Sequence, residues 1–230
     1  MDRRDSGRSL RLTHLTFALI LVLVCGMASA ARLRGHVKQG VYTSPAKNFS
    51  VPVPKGLGMR VSDDYTREPT TEFGAVSFHD DFGTVTTIHY MGVAPEAEAR
   101  LDEIDTSSDM LGKFLPNAAM PMWFANASPQ SRIVRQSNAT FENMAVSLAH
   151  VEIPGGSTMA VLDASGKSKR MDSLRGVITF HRGRFIYLLS TELKGLAPIL
   201  EPAGAAPSDE NWMEFADRLQ SFYRSIAFAP

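Results

Sequence analysis

The sequence predicts an α+β fold, an antiparallel sheet of hairpins flanked by helices in a layered α/β/α sandwich. Three observations lead there. Short runs rich in Val, Ile, Thr and aromatic residues come in pairs about tight turns, at 75–93, 132–153 and 174–191. Helix-forming stretches interrupt them over 95–115. The chain closes on Trp212, Phe215, Ala216, Leu219, Phe222, Tyr223 and Ile226, whose helical spacing draws one apolar stripe that has to lie on a sheet.

Residues 1–30 read as a signal peptide. Arg3, Arg4, Arg8 and Arg11 make a positive leader, residues 15–25 are apolar and uncharged, and Ala28-Ser29-Ala30 is a small-x-small cleavage pattern. This predicts a periplasmic or secreted protein. The alternative is an inner-membrane anchor through residues 12–31, which carry no Lys, Arg, Asp or Glu and approach the roughly 20 residues a spanning helix needs. His14, Gly26 and the basic Arg32, Arg34 and Lys38 just beyond oppose the anchor. Cys25 is the only cysteine, so cleavage behind Ala30 leaves a cysteine-free mature chain. That chain has no thiol nucleophile, disulfide or cysteine metal site, which fits a bacterial periplasm better than an extracellular eukaryotic setting. Val24 is too bulky for a lipobox at Cys25. Of 24 basic and 24 acidic residues the leader holds four Arg and two Asp, leaving 20 against 22. Nothing in that balance points to nucleic acid.

Residues 31–40 are expected to be a flexible basic lead-in to a single domain over 41–230. Residues 48–53 and 59–61 read as short strands, with Pro52 and Pro54 placing the first at an edge or strand end. Residues 75–79 and 84–93 form a hairpin about Asp80-Asp81-Phe82-Gly83. Pro95 opens a helix with Glu96, Glu98, Leu101 and Ile104 behind it. A second helix starts at Thr106 or Ser107, packs Met110, Leu111, Phe114 and Leu115, and stops at Pro116. Residues 118–127 are apolar and read as a further short helix or a loop plugging the core. A second hairpin, 132–141 with 144–153, turns about Glu142-Asn143. A strand at 158–162 and a polar basic loop over 165–175 follow. The third hairpin, 174–181 against 184–191 about Arg182-Gly183, sets Phe180 opposite Phe185 and Ile178 opposite Tyr187. A Pro/Gly/Ala linker over 198–207 leads to the final helix.

Tyr42-Thr43-Ser44 leading into Asn48-Phe49-Ser50-Val51-Pro52-Val53-Pro54 resembles the opening strand of the Mog1/PsbP-like fold family. The hairpin from Gly176 to Leu189 and the closing Phe222-Tyr223-Arg224-Ser225-Ile226 are similar to later parts of that fold. Lys55-Gly56-Leu57-Gly58 stands where a Trp often follows the opening proline-glycine. The resemblance spans 41–228 and implies an exported or organellar protein with an antiparallel sheet between helical layers. It also implies a binding or assembly role without catalysis, and it names no ligand or cofactor.

The candidate sites are few. Lys167, Lys169, Arg170 and Arg175 form the densest mature basic cluster, suited to anionic lipid heads or an acidic partner. Met120 and Met122 supply thioethers that could hold Cu(I), although Trp123 and Phe124 beside them favour core packing. His150 and Glu152 share one face of a predicted strand and are the first candidates for zinc, with His79 and Asp80 or Asp81 across the sheet. Gly166-Lys167-Ser168 lacks the first glycine of a phosphate-binding loop, since Val161 stands there. Asp81-Phe82-Gly83 is explained by its turn. The leading expectation is an exported noncatalytic binding or assembly domain acting on a protein or envelope component. The alternatives are a periplasmic hydrolase using His150 and Glu152, and a membrane-anchored envelope structural protein.

Overall fold

The computed structural model describes residues 33–68, 71–92, 108–124, 128–157, 160–162, 165–192 and 209–229. The expected signal peptide, the helix begun at Pro95 and the linker over 198–207 lie outside the described residues.

Four strands make a small antiparallel sheet: β1 (His36–Lys38), β2 (Val41–Thr43), β3 (Phe49–Pro52) and, from the far end of the chain, β13 (Ala227–Phe228), in the order β1-β2-β3-β13. The large sheet comprises β4 (Arg60–Arg67), β5 (Glu72–His79), β6 (Val85–Gly92), β7 (Arg132–Phe141), β8 (Met144–Ile153), β11 (Ser173–Arg182) and β12 (Phe185–Glu192). Their order is β4-β5-β6-β12-β11-β8-β7, and every neighbouring pair is antiparallel. A separate ribbon joins β9 (Ala160–Leu162) to β10 (Ser168–Arg170). Among the described residues, helix is confined to α1 (Ser108–Phe114), a wide-turned π-helical continuation α2 (Leu115–Phe124), and α3 (Asp209–Ser225).

This corrects the expected α/β/α sandwich. Strand dominates the described residues, and much of the layer opposite the large sheet is itself β. Short exposed runs such as His36–Lys38 and Ala227–Phe228 carry no periodicity that would announce them. They are recruited by pairing alone: Lys38 pairs with Val41 of β2, and Phe228 with Phe49 of β3.

One face of the large sheet carries the main core. Phe78, Tyr90, Phe180 and Tyr187 meet Tyr42, Phe49 and Val51 of the small sheet and Phe215, Leu219 and Tyr223 of α3. The apolar stripe read from the sequence is the buried side of α3, with Phe215 fully buried. Gly176 makes this approach possible. A Cβ there would lie 1.0 Å from a Phe215 ring carbon, so the phenyl ring occupies the space a side chain would need. The opposite face packs Leu115, Ala119 and Phe124 of α2 onto Ala149, Val151, Val177, Ile186 and Leu188.

The turns fix register. Glu142 and Asn143 both have positive φ, 49° and 68°, the pattern of a type I′ hairpin, and the β7-β8 turn falls where the sequence placed it. The β11-β12 register differs from expectation: Arg182 pairs with Phe185, so Phe180 faces Tyr187 and Ile178 faces Leu189. The reason is Gly183, whose φ of 56° suits the first loop position of a type II′ turn; the expected loop put Arg182 there. The offset is two residues in pairing, so each side chain keeps its face. Phe180 and Tyr187 stack at 5.2 Å. The helix expected to stop at Pro116 instead continues through Pro116 and Pro121 as α2. Its wider turn replaces the regular i→i−4 ladder that a proline would break.

Candidate functional site

The second face of the large sheet is covered unevenly. Where α2 ends, Met122 and Trp123 overhang the sheet edge and leave a cleft of about 240 Å³. Its floor is Phe73, Gly74 and Ala75 of β5 with His89 of β6, and its outer wall is Asp64, Tyr65 and Thr66 of β4. The indole of Trp123 stacks on the His89 ring at 4.9 Å with 23° between planes, and Phe114 meets the indole edge-on at 6.1 Å. Alternation along the strands explains the set: Asp64 pairs with Ala75 and Ala75 with His89, so all three sit in one row across the sheet. Burial beneath Trp123, with a smaller effect from Arg175, pushes the His89 pKa down to about 3 and keeps the ring neutral.

β4 is the edge strand, and among the described residues no strand pairs with its outer side. Its side chains alternate exposed and half-buried along nearly its whole length. An antiparallel edge leaves alternate N–H and C=O groups pointing outward, able to accept another extended chain. Asp63 is engaged on the other face, where its carboxylate accepts from the Arg34 N–H at 2.8 Å, the Gly35 N–H at 2.6 Å and the Tyr42 hydroxyl at 2.8 Å. Burial, then the Asp63 contact, raise the Tyr42 pKa far above its ordinary value, so this hydroxyl stays a donor. The edge strand is thereby tied to the small sheet.

The sequence candidates are placed as follows. Lys167, Lys169 and Arg170 lie exposed on or beside the β9-β10 ribbon, where a polar loop was expected. Arg175 is not with them. It sits in central strand β11, its Nη2 donating to the Gly156 carbonyl at 3.5 Å, and its pKa is lowered by burial and supported by the Glu192 charge opposite. His150 and Glu152 share a face as expected, but they have separate partners. His150 is buried edge-on against Trp212 at 4.9 Å and Phe215 at 4.7 Å, while Glu152 accepts from Arg132 at 2.7 Å. His79 approaches Ser62 at 3.5 Å, on β4. Met120 is buried and Met122 is 38% exposed, so the two thioethers do not share one environment. Among the described residues no three His, Cys, Asp or Glu side chains converge as metal ligands.

The cleft was not read from the sequence. Ala75 and His89 were visible as strand residues and Trp123 as core, while Phe73 lay before the expected start of its strand. Asp64 and Thr66 fell in a stretch whose charges hid its strand character.

No family model matches the chain, and no curated protein matches it. Among solved structures, the chain is similar to cyanobacterial PsbP (CyanoP) from Synechocystis, at 11% identity and a TM-score of 0.43, over 85% of this chain and 96% of that one. It is also similar to a protein from Bacteroides thetaiotaomicron, at 8% identity and a TM-score of 0.36, over 84% of this chain. It spans 50% of that second protein's length. The first of these bears the family name that the opening strand and closing helix resemble, and at these scores the likeness supplies no ligand or activity.

Proposed function

We propose that this chain is a noncatalytic binding domain that takes an extended segment of a partner protein along β4, with one side chain of that segment seated in the cleft under Trp123. The observation that carries this reading is the coincidence of an exposed edge strand with an aromatic pocket on the same strand. Strand addition needs both: outward backbone groups for affinity and a pocket for every second side chain for specificity.

The charges of β4 favour a different protein over a second copy of this one. An antiparallel pairing of two β4 strands about a twofold axis at mid-strand sets a residue against its own copy, Asp63 on Asp63 or Asp64 on Asp64, like charge against like. A partner segment with a basic residue opposite Asp64 meets no such penalty. The partner works outside the cytoplasm in this reading, which rests on the leader-like pattern of residues 1–30. No helix among the described residues is long and apolar enough to cross a membrane.

Photo-crosslinking in living cells tests the binding mode. A crosslinking amino acid at Thr66 is expected to give a discrete adduct that is lost when Trp123→Ala is added, whereas the same probe at Ser137 on the opposite edge strand gives none. Equal adducts from both edges, or an adduct indifferent to Trp123→Ala, would sink the reading.

A further inference from the structure

A second cavity, of about 300 Å³, opens on the main-core side, between the turn that precedes β3 and the β11-β12 turn. Its walls include Lys47, Asn48, Arg182, Arg184, Phe185 and Tyr187. We propose that this cavity binds a small organic anion, a carboxylate or phosphate carried on a compact apolar body.

The charge is the first argument. Three cationic side chains meet here, and the Glu72 carboxylate, bound to Arg184, answers one of them. Arg182 lies with its guanidinium 4.9 Å over the Phe228 ring, which orients it without neutralising it. Lys47 is held in the left-handed region at φ 57°, a conformation uncommon for a lysine, by a turn in which its N–H donates to the Ser44 carbonyl at 3.0 Å. Among the described residues, two positive charges are therefore left for a ligand.

The second argument is independent of charge. Asn48 is 6% exposed and lines the cavity. Its Oδ1 accepts from the Ser44 hydroxyl at 2.6 Å, and its backbone carbonyl accepts from the Ala229 N–H at 2.9 Å. Its Nδ2 is buried with no acceptor among the described residues. An unmet buried donor is costly, and an anionic oxygen placed against it would recover that cost. Phe185 and Tyr187 add an apolar wall, so the site is shaped for more than a bare oxyanion.

The test is a titration of the full chain, labelled with nitrogen-15, with inorganic phosphate, benzoate and phenyl phosphate. The Asn48 side-chain amide and the Gly183 N–H report binding. Saturable shifts at both are expected with benzoate and phenyl phosphate, with inorganic phosphate weaker. Arg182→Gln and Lys47→Gln change exposed side chains, so the fold persists in both, and each is expected to weaken phenyl phosphate about tenfold. Trp123→Ala, in the other cleft, is expected to change nothing, which separates this site from the strand-addition reading. Absence of saturable shifts with every probe, affinity that survives both charge substitutions, or inorganic phosphate binding as tightly as phenyl phosphate would overturn the proposal.

Discussion

The two faces of the large sheet are closed by different means. On one face a second sheet and α3 seal an aromatic core in which Phe180, Tyr187, Phe49 and Phe215 interlock. On the other, α1 and α2 cover the centre and leave the β4 edge open beneath Trp123. The sealed face holds the fold together, and the unevenly covered face is where the proposed partner strand would dock. A stability lost on one face and a binding lost on the other should therefore be separable by mutation.

The largest effect is expected at Gly176. Gly176→Val has to displace Phe215, and overpacking of that kind costs about 3 kcal/mol or more, seen as a lower urea midpoint. Phe215→Ala removes the same contact from the helix side and should cost about 3–5 kcal/mol. Trp123→Ala is the matching change on the open face. It is half-buried and should cost under about 2 kcal/mol while abolishing crosslinking at Thr66. Equal losses from Phe215→Ala and Trp123→Ala would erase the distinction between the faces.

Acid should weaken both faces. Burial, aided by Arg135, lowers the His150 pKa to about 4, and burial lowers that of His89 to about 3. Unfolded, each takes a proton near its ordinary value, so stability present above about pH 6.5 falls as the pH drops toward 4. The fully buried His150 should account for a loss on the order of 2–3 kcal/mol. His150→Phe keeps the ring against Trp212 and should flatten the acid limb of an unfolding-against-pH curve. An unchanged slope in that variant would remove His150 from the account.

The smallest effect concerns the tie between the sheets. Tyr42→Phe deletes the hydroxyl that donates to Asp63 and should cost about 1 kcal/mol, with faster hydrogen exchange at the Arg34 and Gly35 amides. Exchange unchanged there would show that the lead-in holds β4 without Tyr42.

Much of the large sheet was legible because its inner strands bury one or both faces and so spell out long β-branched and aromatic runs. The β7-β8 and β5-β6 hairpins and the α3 stripe follow directly from that patterning. The β4 edge was not legible as a full strand. β4 reads Arg-Val-Ser-Asp-Asp-Tyr-Thr-Arg, and the strand expected at 59–61 caught only its start, because an exposed edge strand is under no pressure to be apolar. Apart from β3, the small sheet was missed for a related reason: strands of two or three residues carry too little pattern, and β13 is defined by a distant partner, Ala227 against Ser50 and Phe228 against Phe49. The cleft joins such an edge to an aromatic from a helix running through two prolines, so neither half announced the other. Arg175 was grouped with Lys167, Lys169 and Arg170 by proximity in sequence, while β11 carries it into the sheet.

The central claim is that β4 receives an extended chain. The most direct measurement is amide hydrogen exchange of the full chain, with and without the partner peptide identified from the Thr66 adduct. New protection at alternate amides of Arg60–Arg67, with β7 unchanged, is the predicted result. Protection spread over both edges, or confined to side-chain pockets with β4 exchanging as before, would contradict it.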